Sequence, residues 1–504
     1  MVTSAADAES RPTVWIFGDQ LNREIASLAG RSPGDCRVLL VESRGKLESK
    51  PWHIQRAHLV VSAMAHFAAE LQEDGFEVDF RQASSLAAGL HDHRQQFAVE
   101  HVIAMEPMSW DGRAMLARLA VEIVANNQFL CDHEQFASWA ADRKSIKMED
   151  FYRWQRTRFE VLLDDGAPSG GRWNHDIDNR EPPPTDARPW PTITRFPLDA
   201  IDREILGRLP GCWGAAPDGT WPITRQQALH RLEEFITSGL VPFGPHEDAM
   251  LGAEWKLAHS VLSSSLNLGL LRPGEVIEAA EAAYRAGAAP INSVEGFIRQ
   301  VLGWREYVWG MYWLNMPDYR HQNQLDARRP LPPAFTGEAG TEMACVASVL
   351  GHVHDHAYAH HIERLMVLGN LALTAGVDPQ AMTQWMWASF IDGAEWVMLP
   401  NVIGMALHAD GGRMATKPYA SGGAYINRMS DHCSGCRYNP TKRTGQDACP
   451  FTTLYWDFLA RNEDMLASNH RMIRQLAGMR RLSNLDDVRA RATDVLVALD
   501  TGSL

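Results

Sequence analysis

Of the seven cysteines in the chain, three fall between positions 433 and 449: Cys433 and Cys436 as a C-x2-C pair on a glycine-containing turn, and Cys449 after a polar, basic loop. Thiolates in this arrangement suit a soft metal, the alternative being a surface loop with unrelated sulfurs. Zinc and an iron-sulfur cluster both accept four thiolates, and the Cys449-Pro450 ending favours iron. A fourth ligand must come from elsewhere in the chain. The remaining Cys36, Cys131 and Cys212 are scattered singly, which argues against a disulfide framework and fits a reducing, cytoplasmic compartment.

At 504 residues, 45% hydrophobic and 22% charged, the chain is long enough for two or three domains with sizeable cores. No segment approaches the run of roughly eighteen apolar residues that a membrane span needs, and the polar, acidic first residues lack the pattern of a signal peptide. A net charge of −14 excludes a general polyanion binder but leaves room for a local basic face on nucleic acid.

The runs Thr13–Asp19 and Arg37–Glu42 read as buried strands ending in acidic residues, and Ile54–Glu73 carries apolar residues at helical spacing. Further strands at Glu77–Phe80 and His101–Glu106 make residues 1–132 an α/β domain with a parallel sheet. Ligands of such sheets sit beyond the carboxyl ends of the strands, which places Asp19, Gln20, Glu42, Ser43 and Glu106 around one crevice, or leaves them as strand-end turn residues. No G-x-G-x-x-G follows the first strand, so a Rossmann dinucleotide site is not expected there. Residues 133–224 are rich in proline and tryptophan and read as a connector over the surface, whereas residues 225–504 are helical throughout. The expected helices include Gln226–Ser238, Gly274–Gly287, Ser293–Trp313, Val346–Ala375, Pro379–Ser389 and Thr453–Leu482.

Several segments carry a family likeness: Leu262–Leu271 (LSSSLNLGLL), Gly303–Tyr307 (GWREY), His360–Met366 (HHIERLM), Glu395–Asn401 (EWVMLPN) and Met414–Ser421 (MATKPYAS). With Gly18–Leu21 (GDQL), Ser62–Phe67 (SAMAHF) and Trp173–Arg180 (WNHDIDNR), they resemble the iron-sulfur bacterial cryptochromes and prokaryotic (6-4) photolyases over nearly the whole chain. The resemblance implies a photolyase-like fold and a light-driven, FAD-dependent lyase that repairs (6-4) photoproducts in UV-damaged DNA. The alternative is a blue-light receptor that binds FAD, repairs nothing and signals through a partner. A flavoprotein acting on another small substrate is a third reading.

By the same resemblance, Cys345 completes a 4Fe-4S iron-sulfur cluster with Cys433, Cys436 and Cys449. FAD is expected in the helical domain, its phosphates near Ser263, Ser264, Ser265 and Asn267. Asp392 with its ion-pair partner Arg364, and Met398, Asn401 and Trp385, are expected around the flavin. The crevice formed by Asp19, Gln20, Glu42 and Glu106 corresponds to an antenna site for 6,7-dimethyl-8-ribityllumazine. His361, with His360 second, is the expected proton donor to the photoproduct, because an imidazolium titrates near working pH.

Tyr419 and Lys417 are expected at the DNA-facing opening, with Asp176 and Asp178 beside it, where they could hold a divalent cation or serve as solvated turn carboxylates. His352, His356 and His360 would share one helical face, but no carboxylate completes an H-E-x-x-H zinc pattern. The chain departs from the family on the electron route: Gly337 stands near the place of a tryptophan, Met386 replaces a tyrosine, and Met398 replaces a polar neighbour of the flavin.

Overall fold

The computed structural model of the protein describes residues 11–186 and 188–504. Five strands, β1 (Thr13–Ile16), β2 (Arg37–Ser43), β3 (Glu77–Ala83), β4 (Val102–Met105) and β5 (Glu122–Val124), form one parallel sheet in the order β3-β2-β1-β4-β5. β1, β2 and β4 are buried along their whole length, as their unbroken apolar runs require when both faces are covered. Successive side chains of β1 go to opposite faces. Val14 and Ile16 join Leu59, Ala63 and Phe67 of helix α1 (Ile54–Glu73), while Trp15 joins Leu90 of helix α2 (Leu86–Phe97). β1 lies between β2 and β4, so the chain changes direction across the sheet there and opens a crevice beyond their carboxyl ends.

The connector is more ordered than its composition suggests. It contains α3 (His133–Ala141), α4 (Met148–Phe159) and the helix Ala200–Arg208. α4 has only Phe151, Tyr152, Gln155 and Arg156 buried, too few aliphatic positions to show a helical period in the sequence. Phe136, Trp139 and Phe151 are not draped over the surface; they sit in the same core as Tyr307 and Tyr312 of the helical half. The connector therefore clamps the two ends of the molecule together.

In the helical half, the expected run Ser293–Trp313 is one path with a π-helical insertion, Ile291–Ile298, Arg299–Arg305 and α5 (Glu306–Asn315). The expected helix Val346–Ala375 is broken: α6 (Ala344–His356) stops where Ala357 takes the left-handed conformation at φ 52°. The chain resumes as a π-helical turn, Glu363–Gly369, followed by Asn370–Ala375. This break removes His360 from the face of His352 and His356; His352 pairs with Glu363 at 3.2 Å and His356 stacks on Trp255 at 4.3 Å. α7 (Pro379–Ser389) forms as expected, and Thr453–Leu482 divides into α8 (Pro450–Arg461), Glu463–Ala467 and Ile473–Arg480. The last helix, α9 (Leu485–Thr501), buries Val488, Ala492, Val495 and Leu499.

The clamp depends on one glycine. A Cβ at Gly310 of α5 would lie 2.1 Å from the ring of Phe136 in α3, so only glycine lets these helices approach. Gly310→Ala is expected to lower unfolding stability by about 1–3 kcal/mol through overpacking. Denaturant melts with an unchanged slope would show it; an unchanged midpoint would mean that the contact yields freely.

Candidate active site

A cavity of about 320 Å³ opens in the helical half. Its walls come largely from backbone that is not regular α-helix: the π-helical turns Glu363–Gly369 and Leu399–Ala406 supply Arg364, Leu365, Asn401, Val402 and Met405, and Arg299–Arg305 supplies Gln300. A π turn carries an extra residue and pushes the helix outward, which is why such turns gather at functional cavities. The lining is mostly apolar, with Val261, Leu262, Val397, Met398 and Met386, and its polar groups converge on one side.

That polar side is built on an ion pair. Arg364 donates to both carboxylate oxygens of Asp392 at 2.9 and 3.1 Å, and through Nε to Ala359 O at 2.5 Å. Its guanidinium lies over the rings of Phe390 and Tyr358 at 4.2 and 5.0 Å. Ser263 Oγ donates to Asp392 Oδ2 at 2.7 Å, and Asn267 Nδ2 donates to Asp392 O at 2.9 Å. Burial pushes the Asp392 carboxyl up, but the Arg364 charge and hydrogen bonds, with the bond from Ser263, hold it below the ordinary carboxylate range. Asp392 is therefore a fixed negative charge.

At the mouth, two adjacent histidines have opposite characters. His361 lines the cavity, and its Nε2 lies 3.3 Å from Asp248 Oδ1. Its side chain is 48% exposed; partial desolvation works against its charge, yet the hydrogen bond and charge of Asp248, with Glu247 behind, lift His361 above the ordinary imidazole value. His360 is fully buried, stacks on His259 at 4.7 Å and has neither ring nitrogen hydrogen-bonded; burial, then the neighbouring histidines, push it far below the ordinary value. Tyr419, Arg180, Asp176 and Asp248 lie close enough to act on one another, and Lys417 is half-buried nearby in sequence. Asp176 and Asp178 are held by Arg299 at 3.3 Å and Arg172 at 2.6 Å.

The cysteines meet at a second cavity. Cys345 near the start of α6, Cys433 and Cys436 around the turn His432–Gly435, and Cys449 at the N-cap of α8 all line it. Burial, and then the other three cysteines, raise Cys345 well above the ordinary thiol value, and Cys433 is pushed up to about 11. Without a cation these thiols stay protonated; a bound metal reverses that preference. Among the described residues, the sets of three ligand atoms within 4.8 Å of one another are His259, His360, His361 and His66, Asp199, Asp202.

Beyond the sheet, Gln20 Nε2 donates to Met105 O and Glu106 O at 3.2 and 3.1 Å, Glu106 lies 3.1 Å from His133, and Glu42 pairs with Arg208. Gln20 Oε1 and Glu42 Oε2 are buried and unpaired. Burial raises the Asp19 carboxyl to about 6 against the opposing effects of its own backbone, Lys46 and Arg56.

Residues 14–211 match the family model described as deoxyribodipyrimidine photo-lyase-related protein. Over 508 aligned residues the chain is 42% identical to a (6-4) photolyase of Agrobacterium fabrum, covering 97% of this chain and 99% of that one. The chain belongs to the (6-4) photolyase family. An uncharacterized protein of Acanthamoeba polyphaga mimivirus is 32% identical over 99 residues, 20% of this chain and 73% of that protein. The crystal structure of a bacterial class III photolyase from Agrobacterium tumefaciens superposes with a TM-score of 0.60 at 15% identity over 99% of each chain, so the photolyase fold extends over both halves.

Within this photolyase fold, Ser263, Arg364, Asp392, Met398, Asn401 and His361 come together on one cavity. Ser264 and Ser265 lie behind Ser263, buried with unpaired hydroxyls, and are not part of the lining. Trp385 is also off the wall: its indole nitrogen donates to Phe335 O at 2.8 Å, and its neighbour Met386 faces the cavity. Gly337 caps the short helix Pro333–Thr336 at φ 77°. Sequence reasoning missed His259, Asp248, Tyr358 and Gln300, which carry no motif and are assembled only by the fold.

The raised Asp19 value has a stability consequence. Its ordinary value is 3.8, so ionisation costs the folded state stability as pH rises from there through about 6. Asp19→Asn removes that cost, and the gain in melting temperature is expected to be larger at pH 8 than at pH 4. Equal gains at both would contradict it.

Proposed function

We propose that this photolyase uses blue light to repair (6-4) pyrimidine photoproducts in DNA by electron transfer from reduced FAD held in the helical half. The observation that carries the reading is one cavity lined by the Arg364–Asp392 ion pair and by a half-exposed His361 held 3.3 Å from Asp248. The lining fits a flavin: apolar side chains suit a flat ring, while Asn401, Gln300 and Ser263 offer hydrogen bonds at its edges. The unpaired hydroxyls of Ser264 and Ser265 are available for the phosphate end. FAD, when bound in its fully reduced state, supplies the electron that starts lesion cleavage.

The chain's own residues do the rest. Asp392 keeps a fixed charge because Arg364 and Ser263 satisfy it, so it orients hydrogen-bond donors without taking up a proton. His361 carries the proton that the transferring hydroxyl of a (6-4) lesion needs, and Asp248 keeps it there. Neutral His360 is poorly suited to donate it. The role of first donor therefore goes to His361, with His360 and His259 forming the dry wall behind it. Tyr419 and Arg180 at the rim suit a damaged dinucleotide that must leave the base stack, and the protein is expected to work in the cytoplasm.

A 4Fe-4S cluster on Cys345, Cys433, Cys436 and Cys449 is supported by their shared cavity and by the Cys449-Pro450 ending. It would tie α6 to α8. Purified protein is expected to contain iron and sulfide, and Cys436→Ala to lower the melting temperature; zinc without sulfide would exclude the cluster. A lumazine antenna in the crevice of the α/β half is supported by the unpaired acceptors of Gln20 and Glu42 beside Asp19 and Glu106.

The receptor reading has one observation in its favour, the loss of aromatic side chains at Gly337 and Met386. One experiment separates the two. Dithionite-reduced protein under blue light is expected to restore a (6-4) lesion oligonucleotide. His361→Ala should abolish repair, with a loss on the order of a hundredfold or more, while lesion binding persists. Full flavin loading with no repair by the unmodified protein would replace the photolyase by the receptor.

A further inference from the structure

Residues 173–180 of the connector form a turn braced on Asn292, Glu295 and Arg299, beside the cavity-wall residue Gln300. His175 N donates to Glu295 Oε2 at 2.8 Å, Asn179 and Asn292 exchange hydrogen bonds at 2.9 and 3.0 Å, and Arg156 donates to Trp173 O at 2.9 Å. The acids at the tip are engaged as well, Asp178 with Arg172 at 2.6 Å and Asp176 with Arg180 and with Arg299 at 3.3 Å. Between them stands Ile177, in the 3₁₀ turn Asp176–Asp178.

Ile177 is 77% exposed, ahead of Ile473 at 59% among the large apolar side chains of the described residues. Single exposed apolar residues are ordinary. Ile177 differs in its setting, because both its chain neighbours are locked and one of them, Asp176, is paired at 3.3 Å with Arg299, the neighbour of the cavity-wall residue Gln300. Arg299 also lies 3.7 Å from Glu247, whose chain neighbour Asp248 holds His361 of the cavity lining at 3.3 Å.

We propose that Ile177 is a wedge that enters the base stack of a lesion-bearing duplex and fills the gap left when the damaged dinucleotide swings into the cavity. The inference rests on the repair reading above. Swinging bases out of a duplex sacrifices stacking worth roughly a few kcal/mol per step, and an apolar side chain inserted in their place recovers part of that contact. A β-branched side chain on a braced turn loses little freedom on insertion. Arg172 and Arg180, with side chains 52% and 63% exposed, flank the tip and can exchange their carboxylate partners for backbone phosphates on either side of the gap. A single strand has no stack to fill, so the wedge acts only on duplex DNA.

Full-length holoprotein is tested against one oligonucleotide carrying a (6-4) photoproduct, as a duplex and as a single strand, by fluorescence anisotropy. Ile177→Ala is expected to weaken duplex binding roughly tenfold, to leave single-strand binding and the melting temperature unchanged, and Ile177→Leu to restore most of the duplex affinity. A 2-aminopurine placed opposite the lesion should report less unstacking in the alanine variant. Equal losses on both substrates, or no loss on either, would overturn the wedge while leaving the repair reading intact. A native protein that binds neither lesion substrate would overturn both.

Discussion

The bidentate pair between Arg364 and Asp392 is the contact on which the rest of the helical half is arranged. Arg364 sits on a π-helical turn and also donates to Ala359, so the pair fixes the chain just after the left-handed break at Ala357. Asp392 is gripped from the other side by Ser263 and Asn267, more than a hundred residues away in sequence. The side chains of the pair are only 20% and 10% exposed. Replacing such a pair by packed apolar side chains is often neutral, whereas removing one partner costs about 3–5 kcal/mol because a buried charge is stranded. The pair is thus better understood as a positioning device than as a source of stability.

The same physics separates the histidines. His360 and His361 are adjacent in sequence, yet one is fully buried, stacked on His259 with its Nε2 3.5 Å from Glu363, and the other reaches Asp248. Desolvation pushes the first far below the ordinary imidazole value, and a carboxylate lifts the second above it.

Much of this was legible before the structure. The parallel sheet followed from unbroken apolar runs and Cys433, Cys436 and Cys449 from their spacing, whereas Cys345, Asp392, Arg364 and His361 were named through the family resemblance, and the structure brings the cysteines to one cavity and the other three to another. What was not legible depends on distant contacts. The helices α3 and α4 are too aromatic and too charged to show a period and are stabilised by packing against α5. The continuous helix expected over Val346–Ala375 failed because a residue with good helix propensity, Ala357, is held in a left-handed conformation by tertiary structure. Trp385, expected around the flavin through the family resemblance, donates its indole N–H to Phe335 O, and its neighbour Met386 lines the cavity, a choice that depends on packing between distant segments.

If the Arg364–Asp392 pair organises a flavin cavity, its loss should empty that cavity while the cysteine set at the far end of α6 stays loaded. The measurement is the chromophore and iron content of native protein and of Asp392→Ala, each reconstituted with excess FAD, desalted and denatured. The native protein is expected to release one FAD per chain, and the variant to keep its iron and release little FAD. Stoichiometric FAD from Asp392→Ala, or none from the native protein, would contradict the account.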